Sequence, residues 1–382
     1  MAVAPTQNHR TYWAVEAIGT AKEGVGTGGV TAFQFMPGVQ SVGISTNFNL
    51  EQIFQLGQLE IYQDLEDIPD IEVSVEKVIE GDKALGYVAF IDPVAHIDAA
   101  ADAAIATTIS GDQNNKVDVG FVVNQDTHEA VGDGDSLVSA WMSGMYLSSA
   151  TFNFATDGYF TESLNLVGNH QIWTVPAGGE LTGAPNSDFG GAAEALDVGT
   201  VLRRETIYFE DLPAPLGVKK LDNATAGLSA VAGDIGDLGI ASMNISVDFG
   251  REPMYRLGQK LPYHRYVTFP VEVTTDIEAY VTDPDDMVID AYPEQNNVQK
   301  AAGDDGSNTH QLKFHIQDGA VTDVKNAGGG AVATRHTFDL GKNNYLQSVT
   351  WNGLSTDGTN ATITYSYRNF NRLDVTSKKD SA

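Results

Sequence analysis

The residues of this sequence that could do chemistry are mostly acids, and none of them stands in a familiar catalytic spacing. The chain has 51 Asp and Glu residues against 22 Lys and Arg, with 8 His and no Cys. His128-Glu129 is followed by Ala-Val-Gly, so the zinc-protease pattern H-E-x-x-H is absent. The sequence also has neither a G-x-x-x-x-G-K-[ST] phosphate loop nor a G-x-S-x-G nucleophile turn. We therefore expect a protein that is not an enzyme.

Three short acidic segments could in principle hold a metal ion. His96, Asp98 and Asp102 could meet around the start of a helix, but such residues more often cap a helix and stabilise its first turn. The segments GDGD (132–135) and DPDD (283–286) lack the spaced ligands and the final Glu of a calcium loop. We favour caps and solvated turns, and we expect neither a metal nor another cofactor.

The densest acidic stretch spans two predicted strands near residue 70. It contains Glu60, Asp64, Glu66, Asp67, Asp70, Glu72, Glu76, Glu80 and Asp82. One interpretation is an ordinary solvated face, and another is a surface that does not retain a polyanion. Because paired carboxylates also hydrolyse glycosidic bonds, an acidic two-domain β protein that acts on or binds carbohydrate remains an alternative.

The net charge of −29 argues against a protein that grips nucleic acid, because such binding depends on Lys and Arg. The charge is uneven, since residues 1–200 hold 27 of the acids but only 5 of the basic residues. The start MAVAPTQNHR lacks the layout of a signal peptide, and no apolar run approaches the length of a membrane span. We expect synthesis in a cytoplasm and no membrane partner.

The sequence contains two copies of one pattern, F-x-x-E-x-x-[FY]-x-L-G-Q-x-x-x-Y, at an offset of 201 residues. Residues 42–69 and 243–270 match without a gap at nine of 28 positions. A second pair of segments, 146–169 and 345–369, shares Y-L-x-S-x-T-x-N followed by T-D-G. Both ends of a unit of about 130 residues are thus duplicated in the same order, which indicates a tandem duplication of one fold.

Most of each unit has the alternation of half-buried strands. In IEVSVEKV (71–78), Ile71, Val73 and Val75 alternate with Glu72, Ser74 and Glu76. Asp157-Gly158 lies between two alternating runs and predicts a hairpin turn, and Asp357-Gly358 repeats it. The fold class is therefore mainly β, with long hairpins that open and close each unit.

The segments between the hairpins are less alike. The Ala-rich HIDAAADAAIATTI (96–109) predicts one short helix on the first sheet, and QLKFHIQ (311–317) predicts a strand in the second unit. We predict an N-terminal arm (1–29), a first domain (30–175), a linker (176–234), a second domain (235–376) and a C-terminal tail (377–382). Within the linker, TIYFEDL (206–212) predicts an additional strand.

The order of these features resembles the tail-tube proteins of tailed bacteriophages. The resemblance covers both units, from the opening hairpin with L-G-Q to the closing TDGYFTESLNLVGN. It implies two β-sandwiches or half-barrels, each with one flanking helix, whose hairpins join those of neighbouring subunits into an inner β-barrel. Two such folds per chain resemble the variant in which a trimer imitates a hexameric ring, and a barrel of 24 strands would be about 48 Å across.

The resemblance implies a structural virion protein, the major tail-tube subunit, with homotrimeric rings stacked into a tube. Its expected partners are further copies, the tape-measure protein and genomic DNA in the channel, and tail terminator, distal tail or sheath proteins. A tail hub or distal-tail ring protein is the related alternative. The residues expected to face the channel are Glu72, Ser74, Glu76, Thr151, Asn153 and Asn165. The residues expected in assembly loops are Leu56, Gly57, Gln58, Leu257, Gly258 and Gln259. The alternative for them is a turn within the subunit that has no role in an interface.

Overall fold

A computed structural model of the chain describes residues 14–22, 34–36, 38–57, 59–81, 83–92, 103–109, 116–124, 136–174, 201–213, 216, 239–281, 310–317, 334–353 and 360–378. Within these residues the structure is mainly β, with large antiparallel sheets, as the sequence predicts.

Eight antiparallel strands form the main sheet. Their bounds are β3 Val39–Asn47, β6 Asp70–Val78, β9 Ser136–Ala155, β10 Thr161–Gly168, β13 Gly239–Asp248, β16 Glu272–Tyr280, β19 Tyr345–Asn352 and β20 Thr362–Phe370. They lie side by side in the order β3-β6-β10-β9-β13-β16-β20-β19.

The two halves of the main sheet have the same strand order. The strands β13, β16, β20 and β19 of the second sequence repeat follow one another as β3, β6, β10 and β9 do in the first. The halves meet where β9 pairs with β13, with Thr151 opposite Ser246. The duplicated units are thus joined edge to edge in one continuous sheet.

The predicted alternation sets one apolar and one polar face. On β6, Ile71, Val73 and Val75 are buried, while the alternating residues Glu72, Ser74 and Glu76 are exposed. The predicted hairpin turn joins β9 to β10, and Gly158 there has a φ of +103°, which favours glycine. In the second repeat β19 pairs with β20 as expected, while Asp357-Gly358 lies outside the described residues.

Two-stranded ribbons connect the first two strands of each half. The first ribbon consists of β4 Leu50–Phe54 and β5 Ile61–Glu66, and the second of β14 Glu252–Met254 and β15 His264–Tyr266. The chain enters them through similar left-handed turns, with a φ of 41° at Asn49 and of 52° at Gly250. Asn tolerates this region better than most residues, so the two copies keep one backbone path with different side chains.

Further strands build the layers outside the main sheet. β1 Ala14–Lys22, β2 Gln34–Phe35, β8 Val117–Asn124 and β11 Gln171–Thr174 extend it through the first half of β9. A separate sheet consists of β7 Ala104–Thr107, β12 Ile207–Asp211, β17 Lys313–Gln317, β18 Thr334–Asp339 and β21 Asp374–Lys378, in the order β12-β17-β18-β21-β7. Strands β12 and β17 confirm the predictions for TIYFEDL and QLKFHIQ.

The helix prediction over 96–109 is wrong for its described end. Residues 104–107 form strand β7, which pairs with β21, and Thr107 Oγ1 donates to the carbonyl of Val375 at 3.1 Å. This tertiary pairing outweighs the helix propensity of alanine. The short helix lies earlier, at α1 Gly86–Ile91, where every residue is buried. A strand of the first repeat thereby completes a sheet of the second.

Aromatic rings fill the core between the main sheet and the separate sheet. Phe154 of β9 contacts Phe314 and Phe338 edge to face, with ring centroids 5.3 and 5.6 Å apart. Phe314 and Phe338 stack on each other at 4.9 Å. Because buried aromatic pairs add to the free energy of area burial, this cluster holds the two layers together.

One member of the acidic stretch does not belong to the solvated face. Glu80 is 6% exposed and follows the end of β6, where it bridges to Val201. The alternation that exposes Glu72 and Glu76 stops at Val78, Ile79 and Glu80, which are all buried. Asp82 lies outside the described residues.

Candidate functional site

The polar face of the main sheet holds all six residues predicted to face the channel. Glu72, Ser74 and Glu76 are exposed on β6. Asn165 of β10 lies opposite Ser74, and its side-chain nitrogen donates to Ser149 of β9 at 2.9 Å. Thr151 and Asn153 follow Ser149 at intervals of two, so they point to the same side. That this common face lines a channel stays a prediction.

This face is acidic along both halves of the sheet. Its charged residues are Asp70, Glu72, Glu76, Asp248, Glu272, Asp276, Glu278 and Arg368. The eight strands contain two basic residues, Arg368 and Lys77. Lys77 is buried on the other side, and Arg368 Nε lies 2.9 Å from Glu272 Oε1. Small hydroxyl and amide side chains fill the rest, so the face offers few cations to a polyanion.

Within the described residues, the main sheet has one open edge at β3 and another at β19. These strands are the counterparts of β13 and β9, which pair at the internal junction. Phe249 at that junction is 0% exposed, whereas its counterpart Phe48 beside β3 is 66% exposed. Phe152 of β9 is likewise 0% exposed, and its counterpart Trp351 on β19 is 39% exposed. The surfaces that are buried at the junction of β9 and β13 therefore have counterparts that stay exposed at the two outer edges of the sheet.

The predicted assembly residues lie at the tips of the two ribbons. Leu56-Gly57 and Leu257-Gly258 occupy the turns between the ribbon strands, as expected. Gly57 and Gly258 have φ values of +90° and +88°, so the turn requires glycine at both places. Gln259 accepts a hydrogen bond from Arg256 Nε at 2.7 Å, and Gln58 lies outside the described residues. Contact with another subunit stays a prediction for these residues.

Sequence reasoning missed the ion pair that anchors the second ribbon to the first repeat. Arg265 of β15 lies 2.9 Å from Asp70 of β6, and its guanidinium also donates to Asn169 Oδ1 at 3.1 Å. Asn169 in turn donates to Asp70 at 3.1 Å. The only sequence signal for this ion pair was a difference in charge between the repeats, since Arg265 is basic where the first repeat has Asp64.

Arg251 covers an aromatic surface at the same junction. Its guanidinium carbon lies 5.4 Å from the ring centroids of Tyr146 and Phe249, and its Nε donates to the Leu147 carbonyl at 3.0 Å. His264 meets the Tyr146 ring edge to face at 6.0 Å. Burial lowers the pKa of Arg251 to about 10, so the side chain remains a cation at neutral pH.

An open cavity of about 250 Å³ lies beside this junction. Its walls come from both repeats, with Trp141, Ser143 and Tyr146 on one side and Leu261 and His264 on the other. Burial, with the positive charges of Lys116 and Arg251, lowers the pKa of His264. The cavity thus follows from how the second ribbon rests on the first repeat, and the described residues of its walls include no paired carboxylates.

A row on the separate sheet has the residue types of a hydrolase triad. His315 Nδ1 is 2.9 Å from Thr337 Oγ1, and its Nε2 is 2.7 Å from Glu210 Oε2. Lys313 lies 2.6 Å from the same carboxylate and, with His315, lowers the pKa of Glu210. These residues project from adjacent strands of one sheet, and the Lys313 pair ties the carboxylate into a polar cross-strand row.

The described parts of the chain contain no cluster of three His, Asp or Glu side chains suited to a metal. The segments singled out in the sequence, around His96, Asp98 and Asp102 and at 132–135 and 283–286, lie outside those parts. Among the described helices, none has the length and apolar content needed to cross a bilayer.

No protein-family model and no curated protein matches this chain. Among solved structures, it is similar to a chain of the sheath-tube complex of an extracellular contractile injection system (12% identity, TM-score 0.30, 46% of this chain and 99% of that chain). It is also similar to a chain of the anti-feeding prophage baseplate (9%, TM-score 0.29, 46% and 99%) and one of that prophage's tube-terminating cap (12%, TM-score 0.28, 46% and 94%). TM-scores this low carry no argument about what this chain does.

Proposed function

We propose that this protein is a structural tail-tube subunit whose copies join edge to edge into rings, which stack around an acidic channel. The supporting observation is the internal junction between β9 and β13. It joins two homologous units in one sheet and leaves the counterpart edges, β19 and β3, open. One chain therefore contains both an internal example of the contact and the two surfaces needed to repeat it.

The internal register specifies which residues meet between copies. At the junction Ser246 lies opposite Thr151 and Ile245 opposite Phe152. Residue numbers of the two repeats differ by 201 between β3 and β13 and by 199 between β9 and β19. Applying these offsets to the internal pairs places Ser45 opposite Thr350 and Ile44 opposite Trp351. The polar pair lies on the acidic face, and the apolar pair on the core face. Antiparallel pairing between β3 and β19 thus continues both faces of the sheet into the next copy.

Closure of the sheet removes its open edges. Open edge strands promote aggregation, whereas a closed barrel has none. Three chains with eight strands each give 24 strands, and a spacing of about 4.8 Å with a tilt of about 40° gives a barrel about 48 Å across. A homotrimer then contains six repeats, so it forms a ring with approximate sixfold symmetry.

The acidic face is placed toward the inside of this barrel. Duplex DNA carries one phosphate charge per about 1.7 Å, so a wall rich in Lys and Arg would retain it. A wall with Glu72, Glu76, Asp276 and Glu278 repels phosphate and lets DNA pass. Genomic DNA and a tape-measure protein are the proposed contents of the channel, bound without sequence specificity. We propose no catalytic activity for this protein.

Disulfide crosslinking between copies tests the edge contact directly, because the native chain has no Cys. We expect the double variant Ser45→Cys with Thr350→Cys to form disulfide-linked dimers and trimers on oxidation. Residues directly opposite on antiparallel strands have Cβ atoms about 4.5–5.5 Å apart, close enough for a disulfide after small movements. Non-reducing gel electrophoresis gives the products, and electron microscopy shows whether they are rings.

Two matched variants control the register. Ser246→Cys with Thr151→Cys places the same pair at the internal junction and should give an intrachain disulfide. Ser45→Cys with Trp351→Cys is displaced by one residue, so the two thiols point to opposite faces and should not crosslink. A Ser45/Thr350 pair that stays monomeric at concentrations where the internal control is oxidised would refute the edge contact.

A further inference from the structure

The first ribbon exposes apolar side chains that have no cover in the single chain. Leu50, Phe54 and Leu56 are 64%, 67% and 103% exposed, and every described residue of β4 is exposed. Exposed apolar groups on this scale mark a contact surface. The second ribbon, its duplicate, has an equally exposed tip, where Leu257 is 104% exposed, but its base rests on the first repeat, where Arg265 is 7% exposed.

The contacts of the second ribbon show how such a ribbon docks. Arg251, at the ribbon's entrance, lies over the ring of Tyr146, where the pairing of β9 with β10 begins. The amide of Phe249 donates to the Ser148 carbonyl at 2.9 Å, which extends the β9–β13 pairing toward the ribbon. Lys260 donates to the Glu66 carbonyl of the first ribbon at 3.3 Å. Docking therefore combines strand pairing with an aromatic surface covered by the ribbon's entrance.

The counterparts of these groups are open at the two ends of the chain. Leu50 corresponds to Arg251, and Tyr345 corresponds to Tyr146. Tyr146 is 3% exposed under Arg251, whereas Tyr345 is 56% exposed. The ribbon and its landing surface lie on opposite edges of one sheet, so they cannot meet within one chain.

We propose that the first ribbon of each copy docks on the second repeat of the next copy, with Leu50 covering Tyr345. The occupant is a second copy of this chain, because the chain itself supplies the docked example. This inference rests on the proposed ring and adds a contact outside the paired edges. It makes the ribbon a clamp between subunits.

Charge supports the pairing of these two surfaces. Ser143 lies in the wall of the internal cavity, beside Leu261 and Arg265 of the second ribbon. The counterpart of Ser143 is Lys342, which is exposed, and the counterparts of Leu261 and Arg265 are Glu60 and Asp64. Docking of this ribbon would thus bring the carboxylates of Glu60 and Asp64 near Lys342 of the next copy. The internal pair Arg265–Asp70 is not repeated there, because Asp64 and Val271 take those places.

Substitutions at Leu50 test the clamp. We expect Leu50→Asp to raise the concentration needed for half-maximal ring assembly about 10- to 100-fold, since it removes an apolar side chain that assembly would bury and places a charge over the Tyr345 ring. Leu50→Arg recreates the arrangement of Arg251 over Tyr146 and should assemble within about threefold of the unmodified chain. Light scattering over a concentration series measures both, and thermal unfolding checks that these exposed substitutions leave the fold intact.

A double-mutant cycle separates the clamp from the edge contact. If Leu50 covers Tyr345, Leu50→Ala and Tyr345→Ala together should weaken assembly less than the product of their single effects. Independent effects, or no effect of Leu50→Asp, would overturn the clamp. If the Ser45/Thr350 disulfide still forms in that case, the ring stands without the clamp. If that disulfide fails in the otherwise unmodified chain, the proposed function itself falls.

Discussion

His336 is a fully buried histidine that links three segments of the described structure. Its Nε2 donates to the Glu80 carbonyl at 2.8 Å, and its Nδ1 lies 3.0 Å from Ser377 Oγ. Ser377 Oγ also accepts the amide of Leu85, next to the helix. The neutral ring with its proton on Nε2 satisfies both contacts, with Ser377 as the donor to Nδ1.

The buried ring makes the stability of the fold depend on pH. Burial lowers the pKa of His336 from 6.5 to about 4, with a further contribution from the positive charges of Lys77 and Arg335. Because the folded state disfavours protonation of His336, the contribution of this residue to the free energy of unfolding is fully present above pH 6.5. It is lost as the pH drops toward 4. The loss from this residue is about 3 kcal/mol. Urea unfolding at pH 7.5 and pH 4 measures it.

The matched variant is His336→Gln, which has no titrating ring but keeps a donor and an acceptor. Between pH 7.5 and pH 4, the free energy of unfolding of this variant should fall by about 3 kcal/mol less than that of the unmodified chain. Equal pH dependence in the two proteins would rule out His336 as the source.

At the scale of elements, helix α1 depends on a buried ion pair. Glu162 of β10 accepts the amides of Gly86 at 2.6 Å and of Tyr87 at 3.2 Å, at the helix start. Lys77 of β6 lies 3.5 Å from the same carboxylate and donates to the Ala84 carbonyl at 2.8 Å. One carboxylate thus orders a helix of only six residues whose sequence, GYVAFI, has little helix propensity.

We expect Glu162→Ala to lower the free energy of unfolding by about 3–5 kcal/mol. The substitution leaves the Lys77 ammonium buried without a counter-charge and the helix amides without an acceptor. Chemical denaturation measures the loss. The double variant Lys77→Met with Glu162→Leu removes both charges and should lose less than Glu162→Ala alone, and a larger loss would contradict this account.

The sequence predicts local patterns of this fold better than contacts between distant segments. Alternation in 71–78 gave the correct faces of β6, because a half-buried strand needs a period of two. The helix over 96–109 was wrong where β21 recruits 104–107 as a strand, which local propensity cannot reveal. The Arg265–Asp70 pair joins residues 195 positions apart and has no counterpart in the other repeat, so duplication did not predict it.

At the scale of the whole molecule, charge decides what the proposed channel can hold. The net charge of −29 and the acidic face both disfavour contact with phosphate. We expect Glu72→Lys with Glu76→Lys to convert the ring into one that retains duplex DNA present during assembly. Six additional lysines per ring would bind the backbone in a salt-dependent way, strongly at about 50 mM salt and weakly at about 200 mM. Nuclease treatment followed by quantification of protected DNA measures retention.

The control is Glu72→Gln with Glu76→Gln, which removes the same carboxylates without adding cations. It should protect no more DNA than the unmodified rings. If the lysine variant assembles normally but protects no DNA, these two positions do not face the channel.

The covalent link between the two repeats also changes how the yield of the proposed ring depends on chain concentration. Half of the contacts around a three-chain ring are internal ones like that between β9 and β13, and these form at the high effective concentration of tethered partners. Ring formation then requires three chains to meet instead of six. Its equilibrium yield rises with the third power of chain concentration, so rings persist under dilution that would dissolve a ring of six separate units.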